Sequence, residues 1–225
     1  TVGERTISAG YKAAAAYAGG KVIQDVGGGI CQISSTLYNA VLLANLEITD
    51  RSNHCFETSY VPAGRDATVN WGTVDFQFKN NRKYPIKIET TAGGGIATAK
   101  IHGLKEENEY EVVIQSKVTS YISRTTRYKN DSTMDEGKEV IEDNGFDGCN
   151  SETYKILKLN GEVVSQTLIS RDSYDPMDRV IIRGTKKVVK PEQEVPVNKG
   201  NEEQEPTQEQ NQTENQEENN NKPNT

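Results

Sequence analysis

The stretch Gly27-Gly28-Gly29-Ile30-Cys31-Gln32-Ile33-Ser34-Ser35-Thr36-Leu37-Tyr38-Asn39 organises the chain. Three glycines run into a cysteine, and apolar residues then recur at Ile33, Leu37, Ala40, Val41 and Ala44. That spacing predicts an amphipathic helix ending near Asn45. Cys31 then falls on the first helical turn, among unpaired N–H groups and at the positive end of the helix dipole. Both favour a thiolate, and the glycines leave open space above it. The plain alternative is a small buried cysteine that packs the helix against a sheet.

Working outward, Ser8 and an Ala-rich run closed by Gly19-Gly20 predict a short helix over 9–18. Lys21-Val22-Ile23-Gln24 is a short β-like run. Residues 67–71 and 74–78 alternate apolar and polar, which predicts half-buried strands. Residues 84–89 and 96–101 predict two more, flanking Gly93-Gly94-Gly95. The expected class is α+β, with N-terminal helices packed on an antiparallel sheet over 1–104. Residues 105–114 are first charged and then strand-like, as suits a linker entering a second unit. Over 115–186 strands are expected at 153–159, 163–170 and 179–183, with Asn160-Gly161 as a two-residue hairpin turn. With few large apolar residues, this half reads as a small extended all-β module. Residues 187–225 are rich in Glu, Gln and Asn with no aromatic residue, so a disordered acidic tail is expected.

Charge and cysteine usage exclude several function classes. Of the net charge of −7, nine Glu and three Lys from Val188 onward account for −6, leaving about −1 on the rest. No basic patch suits a phosphate backbone, so nucleic acid is not an expected partner. No apolar run approaches the roughly 18–20 residues that cross a bilayer, so no membrane contact is expected of this segment. The start at Thr1 without Met predicts a fragment or a mature form, from which a targeting or anchoring segment can have been removed. Cys31, Cys55 and Cys149 show no C-x-x-C spacing, so neither a zinc ribbon nor a thioredoxin-like motif is supported. A Cys55–Cys149 pair is open but not compelled. No metal set and no cofactor are expected, since Cys31, His54 and Cys55 match no familiar ligand spacing. Gly27-Gly28-Gly29 lacks the G-K-[ST] ending of a phosphate loop.

The residues from Gly27 to Ala40 resemble the signature of the VanW family, named for an accessory protein of vancomycin-resistance clusters. The likeness continues through Arg51-Ser52-Asn53-His54, through Tyr60-Val61-Pro62-Ala63-Gly64-Arg65-Asp66-Ala67 and through Phe78-Lys79-Asn80. Cys55 departs from it, since Ser is expected after the histidine. Residues 115–185 resemble a G5 domain through Tyr121, Tyr128, Asp131, Gly137, Gly145, Gly148, Gly161 and Gly184. Together these resemblances imply an extracytoplasmic protein of a Gram-positive cell envelope, with peptidoglycan or wall glycan as partner.

Two functional readings follow. The order Cys31, then His54 on a following strand, then Asp66 on the next, is similar to that of papain-like or transglutaminase-like sites. In this reading Cys31 is the nucleophile, His54 the base and Asp66 its orienting carboxylate, with Asp75 as the alternative. Gln32 or the Cys31 backbone N–H would face the oxyanion. The bland readings are a strand-end His54 and a turn-capping Asp66. The second functional reading is a non-catalytic wall-binding scaffold whose G5-like module engages N-acetylglucosamine-containing glycan.

Overall fold

The computed structural model describes residues 3–18, 21–107 and 109–187. The tail expected to be disordered lies outside the described residues beyond Lys187. Among the described residues there are twelve strands and a single helix, so the architecture is mostly β and not helices on a sheet.

The expected Ala-rich helix over 9–18 is instead a strand, β1 (Ala13–Ala18). It pairs antiparallel with β2 (Lys21–Val26), from Ala13↔Val26 to Ala18↔Lys21. Gly10 takes φ 90, outside the helical region, so Ser8 has no continuous helix to cap. The six residues left are too few to nucleate a helix alone, whereas the hairpin satisfies their backbone groups through β2.

The helix that does form is α1 (Ile30–Leu43), entered through Gly29 at φ 88 and left through Asn45 at φ 54. Its buried residues Ser35, Tyr38, Val41 and Leu42 lie on one stripe. Tyr38, Leu42 and Ala67 form a core cluster against which Ile48, Phe76, Ile114 and Ile169 pack. Tyr38 meets the Phe76 ring edge-on at 5.6 Å. Each fully buried apolar side chain of this kind contributes roughly 1.5–3 kcal/mol.

After α1 come β3 (Glu47–Asp50) and β4 (Gln77–Lys79), paired antiparallel through Ile48↔Phe78. The connection over 51–76 carries both His54 and Asp66, so neither stands on a strand as expected. The strands predicted at 67–71 and 74–78 reduce to an Asn70↔Val74 bridge around Gly72 and to β4. Then β5 (Lys87–Gly93) and β6 (Ile96–His102) form a hairpin about Gly94 and Gly95.

The second half holds β7 (Glu111–Ile122), β8 (Thr126–Asp135), β9 (Glu139–Asp143), β10 (Gly148–Leu159), β11 (Glu162–Tyr174) and β12 (Arg179–Lys186). They make two three-stranded sheets, ordered β11-β10-β7 and β8-β12-β9. Asn160 and Gly161 take φ 54 and 87, the mirror-image turn that this dipeptide favours between β10 and β11. Burial concentrates where β10 starts and β11 ends: Cys149, Ser151, Thr153 and Tyr174 are all buried there. That end docks onto the connection 51–76. Ile114 of β7 and Ile169 of β11 join the helix core, so the described residues form one compact unit.

Candidate active site

Helix α1 positions the connection 51–76 through short polar side chains. Ser35, fully buried, accepts the Ala67 N–H at 3.0 Å. Asn39 donates to the Arg65 carbonyl at 2.7 Å. Those bonds pin the backbone on either side of Asp66 to α1, about one and two turns below Cys31.

Asp66 is 1% exposed, yet it is held as a carboxylate by donors on every side. His54 Nδ1 lies 2.6 Å from Oδ2, and the His54 backbone N–H donates to the same oxygen at 2.7 Å. The Tyr174 hydroxyl donates to Oδ1 at 2.5 Å and an Arg51 guanidinium nitrogen does so at 3.0 Å. Arg51 also bonds the Asp66 carbonyl at 2.7 Å and pairs with Asp172. Burial pushes the Asp66 carboxyl up, but the His54 and Tyr174 bonds and the Arg51 charge outweigh it, and the net direction is down.

An ionised Asp66 fixes the imidazole: Nδ1 carries the proton donated to the carboxylate, leaving Nε2 for the thiol. Tyr60 sits edge-on to the ring, with its hydroxyl 3.5 Å from Nε2. Burial pushes His54 down, but the bonds to Asp66 and Cys31 and their charges raise it to about 9. Burial pushes Cys31 up, and the bond to His54, a backbone bond at Val69, the Thr68 hydroxyl and the His54 charge bring it below the ordinary thiol value. As a thiol, Cys31 Sγ donates to the Val69 carbonyl at 3.4 Å and lies 3.7 Å from Thr68 Oγ1. The two groups shift in opposite directions, Cys31 down and His54 up, and each contributes to the other's shift. Cys31 is half-buried and the His54 side chain is 15% exposed, so solvent reaches the pair.

At the start of α1 the N–H groups of Ile30, Gln32 and Ile33 bond to the carbonyls of Gly27, Gly29 and Gly29 respectively. The Cys31 N–H takes no part in those turn bonds. Gln32 is half-buried beside it.

The structure brings Cys31, His54 and Asp66 together. Asp75 is not among them: it is exposed, and its carboxylate caps the Phe76 N–H at 2.8 Å and accepts from Gln77. All three cysteines are free, with Cys55 exposed and Cys149 buried near Glu57. Among the described residues no cluster of His, Cys, Asp or Glu could hold a metal ion. A groove of about 550 Å³ lined by residues including Arg65, Ile114, Ile156 and Lys158 has neither Cys31 nor His54 in its wall.

Sequence reasoning missed Arg51, Tyr60, Asp172 and Tyr174 as members of the site. Arg51 and Tyr60 stand in the quoted family motifs, a signal that can be read for them. Tyr174 lies 108 residues from Asp66 and nothing in its own neighbourhood announces the contact.

Comparison with known proteins agrees with the order of the two halves. Residues 1–102 match the family model described as VanW like protein, and residues 113–186 match that of the G5 domain. The chain is similar to the uncharacterized protein YoaR of Bacillus subtilis (strain 168), at 51% identity over 94 residues. That match spans 42% of this chain and 31% of YoaR. Among solved structures, an IgA1 protease G5 domain aligns at 24% identity and a TM-score of 0.25, covering 36% of this chain and 98% of that one. The HP0197 G5 structure aligns at 17% identity and a TM-score of 0.21, covering 34% and 99%. The chain thus carries a VanW-like domain followed by a G5 domain.

Proposed function

We propose that the protein is a cysteine acyltransferase or amidase of the cell envelope, acting on peptide amides of peptidoglycan. The observation that supports this reading best is the His54 imidazole set between the buried Asp66 carboxylate, at 2.6 Å, and the Cys31 thiol. Cys31 Sγ attacks the amide carbonyl carbon, and the C=O electron pair moves onto oxygen, facing the Cys31 N–H. The intermediate collapses, the C–N bond breaks and His54 gives its proton to the departing amine. A second amine or a water then attacks the thioester, loses its proton to His54 and releases the thiolate. Asp66 keeps the imidazole in one tautomer and one orientation throughout. The wall as the site of action rests on the VanW and G5 families, as does an extracytoplasmic location.

The test is the pH dependence of Cys31 alkylation, followed on its own peptide by mass spectrometry. Fast labelling below pH 7 that is lost in His54→Ala is the expected result. Labelling only near the ordinary thiol pKa of about 8.5 would sink the enzyme reading. A non-catalytic glycan-binding role has one observation in its favour: Tyr121 of the G5 domain is 76% exposed and offers a flat face to a sugar ring, whereas the Tyr128 ring is stacked against the Arg183 guanidinium at 3.8 Å. It is distinguished by wall pull-down, which in that case survives Cys31→Ala and is lost in Tyr121→Ala.

A further inference from the structure

We propose that the G5 domain is a working part of this site: Tyr174, the last residue of β11, is a positioning residue that orients Asp66 for His54. The inference rests on the proposed Cys31–His54–Asp66 chemistry and extends it across the domain boundary.

The direction of the Tyr174 hydrogen bond follows from its two partners. The hydroxyl accepts the Gly64 N–H at 2.7 Å, so its single proton is left for Asp66 Oδ1, where it donates at 2.5 Å. Tyr174 is completely buried, packed with Ala63 and Cys149, and has no water to turn to. Burial and the neighbouring Asp66 push its own ionisation up, so it remains a donor across the working pH range. Asp66 thereby has one oxygen committed to His54 and the other fixed by Tyr174 and Arg51. With both oxygens held, the carboxylate plane cannot rotate away from the imidazole.

The same strand reaches the site a second time. Asp172 pairs with Arg51 and is itself held by Ser170 at 2.8 Å. Arg51 thus spans Asp172 of one domain and Asp66 of the other, with both side chains of its pairs almost fully buried. Two contacts lock the register: the Asn53 side-chain amide donates to the Ser173 carbonyl at 2.9 Å and the Asp175 N–H donates to the Cys55 carbonyl at 2.6 Å. Those partners lie directly on either side of His54. A G5 domain that only tethered the protein to the wall would need none of these bonds into the buried carboxylate.

The experiment measures the pH midpoint of Cys31 alkylation in the full chain for wild type, Tyr174→Phe, Thr153→Val and Tyr154→Phe. Labelling of the buried Cys149 in the same digest reports global opening, and Cys31 rates are read only where Cys149 stays unlabelled. Phe keeps the ring that fills the interface, so Tyr174→Phe tests the hydroxyl alone. Losing one hydrogen bond to a buried charge is expected to raise the midpoint by about one pH unit as His54 loosens from Asp66. Thr153→Val weakens the same interface without touching Asp66, and Tyr154→Phe removes a hydroxyl of the same domain that donates to Glu152. Both should leave the midpoint in place, though Thr153→Val lowers the melting temperature. A low-pH midpoint in wild type that Tyr174→Phe shares overturns the positioning role and leaves the catalytic reading standing. Equal shifts in Tyr174→Phe and Thr153→Val also overturn it, since the hydroxyl would then act only through docking. An ordinary thiol in wild type overturns both proposals together.

Discussion

At the scale of single residues, Gly64 shows how closely the two domains meet. It takes φ 81, and a Cβ there would lie 2.2 Å from Thr153 Oγ1. Gly64→Ala therefore meets both a backbone penalty and a collision, and is expected to destabilise the protein by about 2 kcal/mol or more in urea unfolding. Adding Thr153→Ala should relieve the collision and recover part of that loss, leaving the cost of the left-handed backbone. If the double variant is no more stable than Gly64→Ala, the contact is not what makes the glycine necessary. The residues of the proposed chemistry were legible at this scale by type and order. A cysteine on a helix start, a histidine and an aspartate are visible as letters. The hydroxyl that holds the aspartate is not, because Tyr174 becomes its neighbour only when β11 docks.

At the scale of elements, α1 was readable because its apolar spacing and its flanking Gly29 and Asn45 agree with each other. The helix starts without a side-chain cap, since Gly29 at φ 88 leaves only backbone at the N-cap. Nothing lies within 4 Å of a Cβ at Gly29, so substitution there tests backbone conformation alone. Gly29→Ala is expected to cost about 1 kcal/mol, and Gly29→Asn less, because asparagine tolerates the left-handed region and can cap. Thermal melts that rank Asn below Ala would refute this account of the helix start. The β1–β2 hairpin shows the reverse case. Alanine favours a helix locally, but a six-residue run next to a complementary strand gains more from pairing than from propensity.

At the scale of the whole molecule, the buried charge cluster links stability to pH. The Asp66 carboxyl is lowered on folding, so its contribution is fully present above the ordinary value of about 4 and is lost as pH falls through the folded value. His54 is raised to about 9, so its contribution is fully present below about 6.5 and is lost as pH rises through 9. Cys31 is lowered and acts in the opposite sense, adding stability as pH rises toward the ordinary thiol value. The melting temperature of Cys31→Ser should therefore fall more steeply than wild type between pH 7 and 9. Parallel curves would mean that the thiol and the imidazole do not share a proton. The amino-acid sequence by itself determined the helix with its cysteine, the hairpin turn at Asn160-Gly161, the glycine-flanked β5–β6 pair and the order of the two domains. These depend on periodicity, turn chemistry and motif spacing within a few residues, which a linear reading contains. Only the tertiary structure decided that the Ala-rich run is a strand, that His54 and Asp66 stand on one long connection, and that Tyr174 closes over the carboxylate. Those outcomes turn on which distant backbone and side-chain groups pair once water is excluded, and such pairings have no local signature in the sequence.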